Sequence, residues 1–324
     1  MSRYLVTGCA GFIGWKTAEL LLADGHEVVG VDDLNSYYDT RLKSWRLEQL
    51  ARYPGFTSFE GDIRDEALMA KVFAAGPFEA VFHLAARAGV RYSLEQPKLY
   101  FEVNTLGLLT VLDAMRASSG PRKIVLASTS SLYAGLPMPF KEELPVNTPI
   151  SPYAASKKAA EALAYSYHHL YGFDVSVTRF FTVYGPAGRP DMSPLRFCHW
   201  IYHGTPLTIY GDGLQTRDFT FVDDIARGAI AAAKPLGYEV INLGGGNEPV
   251  SLMGMIHAFE EVLGRKAVLQ HEPENPSDMR HTHADISKAR RLLGWEPVVK
   301  PADGFRQTAQ WYLDNLSWIS DLQL

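Results

Sequence analysis

Residues 3–23, RYLVTGCAGFIGWKTAELLLA, read in order as a buried strand, a turn and an apolar helix. Arg3 to Thr7 is the strand, Gly8, Gly11 and Gly14 punctuate the turn, and the helix runs from Phe12 through Ile13 to about Ala23. Glycines between a strand and a helix let the backbone approach a pyrophosphate whose charge rests at the helix N-terminus. Three glycines alone also suit a plain tight turn, so the next strand matters. Glu27 to Val31 ends in Asp32, 18 residues past Gly14, where a carboxylate can take both hydroxyls of a ribose. Asp32 with Asp33 would repel a 2′-phosphate, which favours NAD over NADP.

Outward from this stretch, strand and helix keep alternating. Phe56 to Glu60 ends in Gly61-Asp62-Ile63, Ala80 to Leu84 runs into Ala85 and Ala86, and Leu99 to Ala117 reads as one long helix. Lys123 to Ala127 is a fifth strand, ending in the hydroxyl cluster Ser128-Thr129-Ser130-Ser131, and Asp174 to Tyr184 a sixth. Such alternation implies an α/β fold with a doubly wound parallel sheet and a ligand at the carboxyl ends of its strands. Asp62 with Ile63 is then placed for an adenine, and Ala85 and Ala86 for close passage of a dinucleotide.

Ser151 to Gly172 carries the chemistry. Tyr153 and Lys157 stand four residues apart, so on a helix both side chains leave one face. A phenol beside an ammonium is expected to have a lowered pKa; each unit takes roughly 1.4 kcal/mol, which one nearby positive charge with a cationic nicotinamide would supply, and this makes it a proton acceptor. Thr129 falls opposite it. An amphipathic helix with an exposed lysine is the plainer account of these two residues alone; the glycine turn, hydroxyl cluster and helix in workable order outweigh it.

The chain has 324 residues, 47% hydrophobic and 21% charged, enough for a large core and two lobes. A net charge of −5 offers no basic stripe for nucleic acid. The start shows no signal-peptide pattern and no apolar run suits a membrane span. Cys9 and Cys198 make no disulfide framework, and a cytoplasmic setting is expected. His281 and His283 lack further ligands around them, so no metal is expected.

TGCAGFIG, Asp32, GDIRD, HLAA, STSS and YAASK together resemble the extended short-chain dehydrogenase/reductase superfamily over nearly the whole chain. Within it, LNSYYDTRLKSWRL, AGVRYS, RFFTVYGPAGRPDM and TRDFTFVDD are similar to the UDP-glucuronate 4-epimerases. The resemblance implies a Rossmann-type NAD-binding domain over residues 1–184, with a return segment at about 220–243. A smaller α/β nucleotide-sugar lobe would fill 185–324. It also implies a homodimer through the Leu99 and Tyr153 helices.

For a UDP-sugar partner, the resemblance puts Arg217, and more weakly Arg280, on the diphosphate. Ile209 and Tyr210 would flank the uracil, and Asp278 would reach its ribose. In the shared first step Tyr153 takes the proton of the sugar 4-hydroxyl, Thr129 bonds the same oxygen and Lys157 holds the cofactor ribose. Similar dehydratases and decarboxylases carry acidic residues where this chain has Ser130 and Ser131. Arg189 and Thr182 match the positions that hold the carboxylate in glucuronate epimerases, with Arg91 on carboxylate or phosphate. The readings left open are a 4-epimerase of UDP-glucuronate, one of neutral UDP-hexoses, a UDP-glucuronate decarboxylase and a non-enzymatic NAD-binding redox sensor.

Overall fold

The computed structural model describes residues 1–118, 120, 122–246, 249–273 and 279–322. Seven strands form one parallel sheet: β1 (Arg3–Thr7), β2 (Glu27–Asp32), β3 (Phe56–Glu60), β4 (Ala80–His83), β5 (Lys123–Thr129), β6 (Asp174–Phe180) and β7 (Tyr238–Leu243). Their order is β7-β6-β5-β4-β1-β2-β3, so the chain reverses direction across the sheet between β1 and β4. A crevice opens at that point beyond the strands' carboxyl ends.

Both faces of the sheet are covered. Leu5 and Val6 are each fully buried on opposite faces of β1, as the two-residue period of a strand demands. Helices Glu66–Ala74, Gly107–Ala117 and Pro152–Tyr171 cover one face. Phe12–Ala23 and Val222–Ala231 pack against each other on the other. The expected return to the sheet occurs: after residue 220 the chain forms the Val222–Ala231 helix and then β7, in parallel register with β6.

Two expected elements differ. Asp174 to Tyr184 is not one strand: Phe181 N still donates to Leu243 O, but Thr182 N turns to Asp218 O, and Thr182–Tyr184 pairs with Phe219–Phe221 in a separate ribbon. The Leu99–Ala117 run is interrupted by a π-helical turn at Glu102–Leu106. That turn presents Asn104, whose side chain accepts from Arg87 N (2.8 Å) and donates to Arg87 O and Ser156 Oγ (both 2.9 Å). It ties the loop after β4 to the helix carrying Tyr153.

That helix has clear ends. The Ser151 hydroxyl accepts from Ala154 N, Pro152 opens the first turn, and Gly172 closes the helix with φ +69°. Glu161, one turn beyond Lys157, forms a bidentate ion pair with Arg179 of β6 (2.9 and 2.8 Å) and accepts from Ser128 Oγ of β5 (2.6 Å). Arg179 also donates to the Tyr133 hydroxyl, which donates to Asn242 of β7. Glu161 and Arg179 are each 2% exposed. Removing one partner strands the other charge in the core, so Arg179→Met is expected to lower stability by about 3 kcal/mol or more. Denaturant unfolding of the two proteins measures it.

Candidate active site

A cavity of about 780 Å³ follows the carboxyl ends of the strands from the glycine turn to Thr208, Tyr210 and Arg217. Gly8 has φ +73°, and a Cβ there would lie 2.7 Å from Ala85 N. A Cβ on Gly14 would sit 2.0 Å from Gly8 O, so the helix can start this close to β1 only without a side chain. Gly8, Gly11, Phe12, Ile13 and Gly14 form this end of the wall, facing Ala85 and Ala86. The cradle suits a dinucleotide pyrophosphate because bare backbone faces it.

Asp32 closes the same end, accepting from Ala10 N (3.1 Å) and Leu34 N (3.0 Å). Burial raises its pKa, although Lys43 Nζ, 3.9 Å away, opposes the shift. Arg87 stands 3.7 Å from Asp33. The acidic pair is thus partly neutralised, and its repulsion of a 2′-phosphate is weaker than two bare carboxylates would give. Asp62, with Ile63, lines the wall. Burial pushes the Asp62 carboxyl up, but the Arg64 fork at 2.6 Å outweighs it and the pKa is lowered.

At the centre Tyr153, Lys157, Thr129, Ser130 and Ser131 line the wall together. Thr129 Oγ1 accepts from Ser131 N (3.1 Å), which fixes the turn of hydroxyls at the end of β5. Among the protein's own groups the direction is opposite to that expected for Tyr153: burial raises its pKa, and the Thr129 hydroxyl and Arg189, not Lys157, oppose the rise. Burial lowers the Lys157 ammonium to about 8, with Glu161 resisting. Desolvation disfavours both charged forms at once, and at this depth it exceeds what one neighbour returns.

The substrate-side expectations divide. Arg91, Thr182, Arg189, Tyr210 and Arg217 line the cavity. Ile209 does not: it is fully buried in the core, and strand alternation sends Thr208 and Tyr210 to the cavity instead. Arg280 lies outside the wall, half exposed, with its fork on Asp212 at 2.6 Å. Asp278 lies outside the described residues. The Arg189 fork carries a loop ion pair, with Asp191 accepting from Nε (3.0 Å) and Nη2 (2.6 Å) and Ala88 O accepting from Nη2 (3.1 Å).

Arg196 went unnoticed in the sequence. It lies in the cavity wall, its guanidinium 4.8 Å from the Trp200 ring, and its buried Nε has no hydrogen-bond partner among the described residues. Burial and Arg91 lower its pKa. A signal was available: Arg196 sits early in the Ser193–His203 helix among Leu195, Phe197 and Cys198, all buried, so its charge had to lie on a covered face.

The family model for GDP-mannose 4,6 dehydratase matches residues 5–308. The UDP-glucuronate 4-epimerase of Thermodesulfobacterium geofontis is 52% identical over 324 residues, covering 100% of both chains. Among solved structures, the Bacillus cereus UDP-glucuronic acid 4-epimerase in complex with UDP-glucuronic acid and NAD superposes with a TM-score of 0.90 at 34% identity, covering 96% of this chain and 99% of that one. A Thermotoga maritima UDP-glucose 4-epimerase with UDP-glucose superposes at 0.87 with 30% identity, covering 97% and 99%. With the doubly wound sheet, the glycine cradle and the Tyr153–Lys157 face in place, the chain belongs to the GDP-mannose 4,6 dehydratase family of the extended short-chain dehydrogenase/reductase superfamily.

Proposed function

We propose that the protein interconverts UDP-glucuronate and UDP-galacturonate by inverting C4 with NAD retained. The observation that carries this reading is one cavity holding the glycine cradle, the Thr129–Tyr153–Lys157 set and Arg189, with hydroxyls rather than an acid–base pair at Ser130 and Ser131. The 52% identity to a UDP-glucuronate 4-epimerase supports it.

NAD would be held by the Gly8–Gly14 cradle, Asp32, Asp62, Ile63, Ala85, Ala86 and Lys157, and supplies a reversible hydride acceptor at the sugar C4. Tyr153 accepts the proton of the 4-hydroxyl and returns it to the inverted oxygen, while Thr129 hydrogen-bonds that oxygen in both directions. The diphosphate meets Arg91, Arg196 and Arg217, whose cations offset its charge. Tyr210 packs on the uracil. The 4-keto uronate made in passing is a β-keto acid, and it loses carbon dioxide when its carboxylate bond aligns with the carbonyl π system. Arg189, Thr182, Ser130 and Ser131 hold the carboxylate out of that alignment. Asp191 and Ala88 O engage Nε and Nη2 of Arg189, so the carboxylate is taken at Nη1. Because that fork is partly occupied, neutral UDP-hexoses are the second reading.

The cofactor half is read as residues 1–184 with the return segment, and the nucleotide-sugar lobe as the remainder. Phe101 and Leu106 on one helical run, with Tyr165 and Leu170 on the Tyr153 helix, leave apolar surface that supports a homodimer. No helix among the described residues is long and apolar enough to cross a membrane, and we read the enzyme as cytoplasmic.

Purified protein incubated with UDP-glucuronate should give UDP-galacturonate by NMR; a UDP-pentose as main product would overturn the assignment. Tyr153→Phe should keep NAD while kcat falls by about 10² or more. Arg189→Ala should reduce kcat/KM for UDP-glucuronate far more than for UDP-glucose, and equal losses would favour the neutral-sugar reading. Lys157→Met should abolish turnover yet raise the Tm of the cofactor-free protein at pH 7. The ammonium's pKa falls from 10.5 to about 8 on folding, so below pH 8 the folded protein carries a charge that burial disfavours. This cost fades as pH rises through 8 towards 10.5, and the Tm difference between the two proteins should shrink over that window.

A further inference from the structure

Arg46, in the Arg41–Leu50 helix, is fully buried, yet no carboxylate among the described residues pairs with it. Its fork is spent on neutral oxygens from three separate segments. Nη1 donates to Ala10 O in the glycine turn and to the Tyr38 hydroxyl (both 2.8 Å). Nε and Nη2 donate to Ala187 O (3.2 and 2.7 Å), and Nη2 also to Gly188 O (3.2 Å).

Ala187 is itself unusual. Among the described residues it and Leu34 are the non-glycine residues with left-handed backbone, Ala187 at φ +54°, and it is fully buried. An alanine held there is strained, and such a conformation persists only where its surroundings impose it. Two donors from Arg46 converge on the carbonyl of this residue. Gly188 and Arg189 follow, and Arg189 lines the same cavity as Tyr153 and opposes the rise of its pKa. Arg189 then packs 5.8 Å from the Tyr37 ring, one residue from the Tyr38 that Arg46 also holds.

We infer that Arg46 is a positioning residue for uronate specificity: by holding the strained Ala187–Gly188 backbone it sets where Arg189 meets the substrate carboxylate. This rests on the reading of Arg189 given above. When Arg46 is lost the loop relaxes, Arg189 is displaced, and the carboxylate of the 4-keto intermediate is freed to align with the carbonyl. The C5–C6 bond then breaks, carbon dioxide leaves, the electron pair passes into the C4 carbonyl as an enolate, and C5 takes a proton from water. The resulting 4-keto pentose becomes a UDP-pentose when C4 regains the hydride removed in the first step and its oxygen the proton held by Tyr153.

The test compares wild type, Arg46→Met and Arg46→Lys with UDP-glucuronate and UDP-glucose, following kcat/KM and the fraction of UDP-pentose product by NMR. Arg46→Met should lower the uronate-to-hexose ratio of kcat/KM tenfold or more and raise the pentose fraction above wild type. Arg46→Lys, which keeps the charge but not the fork, should fall between, and it decides the matter if the methionine variant does not fold. Variants that lose activity equally on both substrates, with no added pentose, would show that Arg46 serves only the glycine turn or the fold, and the inference is overturned. A wild-type protein that forms no UDP-galacturonate would instead defeat the underlying functional reading.

Discussion

The ion pair between Glu161 and Arg179 sets the orientation of everything that reacts. Glu161 lies on the same helical face as Tyr153 and Lys157, each one turn apart, and its carboxylate is held by β5 and β6 together. Rotating the helix about its axis would pull a charged pair, buried at both ends, away from its partners, a change costing several kcal/mol. Tyr153 and Lys157 therefore face the strand ends with little freedom, and Thr129 meets them from the strand that Glu161 grips. Asn104 secures the same helix from the other side through Ser156. Tyr153, Lys157 and Thr129 are thus held by packed secondary structure.

Depth has an electrostatic consequence. Tyr153 is raised, Lys157 lowered to about 8 and His83, fully buried, lowered to about 3. All three shifts have burial as their leading cause, so this depth favours neutral side chains. The protein's own groups favour the protonated phenol. A neutral His83 beside Lys157 adds no competing cation. Elsewhere in the cavity wall Arg91, Arg189, Arg196 and Arg217 gather cationic charge in a protein of negative net charge, which suits an anionic ligand bound locally rather than a charged surface.

Much of this was legible along the chain because the signals are short-range. The glycine turn, the helical stretch between Ser151 and Gly172 and the strand cores follow from local backbone chemistry and period, and their bounds agree within a residue or two. The misreadings share a different origin. Asp174 to Tyr184 has the composition of one strand, but Thr182 leaves the sheet because its partner, Asp218, arrives from a distant segment. The π-helical turn at Glu102–Leu106 answers to Arg87 and Ser156 rather than to its own sequence. Ile209 was assigned to the cavity beside Tyr210, although neighbours on a strand face opposite ways. Arg280, expected on the diphosphate more weakly than Arg217, has its fork on Asp212.

The sequence by itself determined the doubly wound architecture, the cofactor cradle and the Tyr153–Lys157 face, since each depends on residues a few positions apart whose backbone preferences act locally. Only the tertiary structure decided which arginines reach the cavity, which are already paired, and which way the pKa of Tyr153 moves. Those outcomes turn on burial and on partners tens of residues away, as when Arg46 grips Ala187 and Gly188 across 141 and 142 positions. Desolvation and long-range hydrogen bonds have no period along a chain, so they become readable only once the chain has folded.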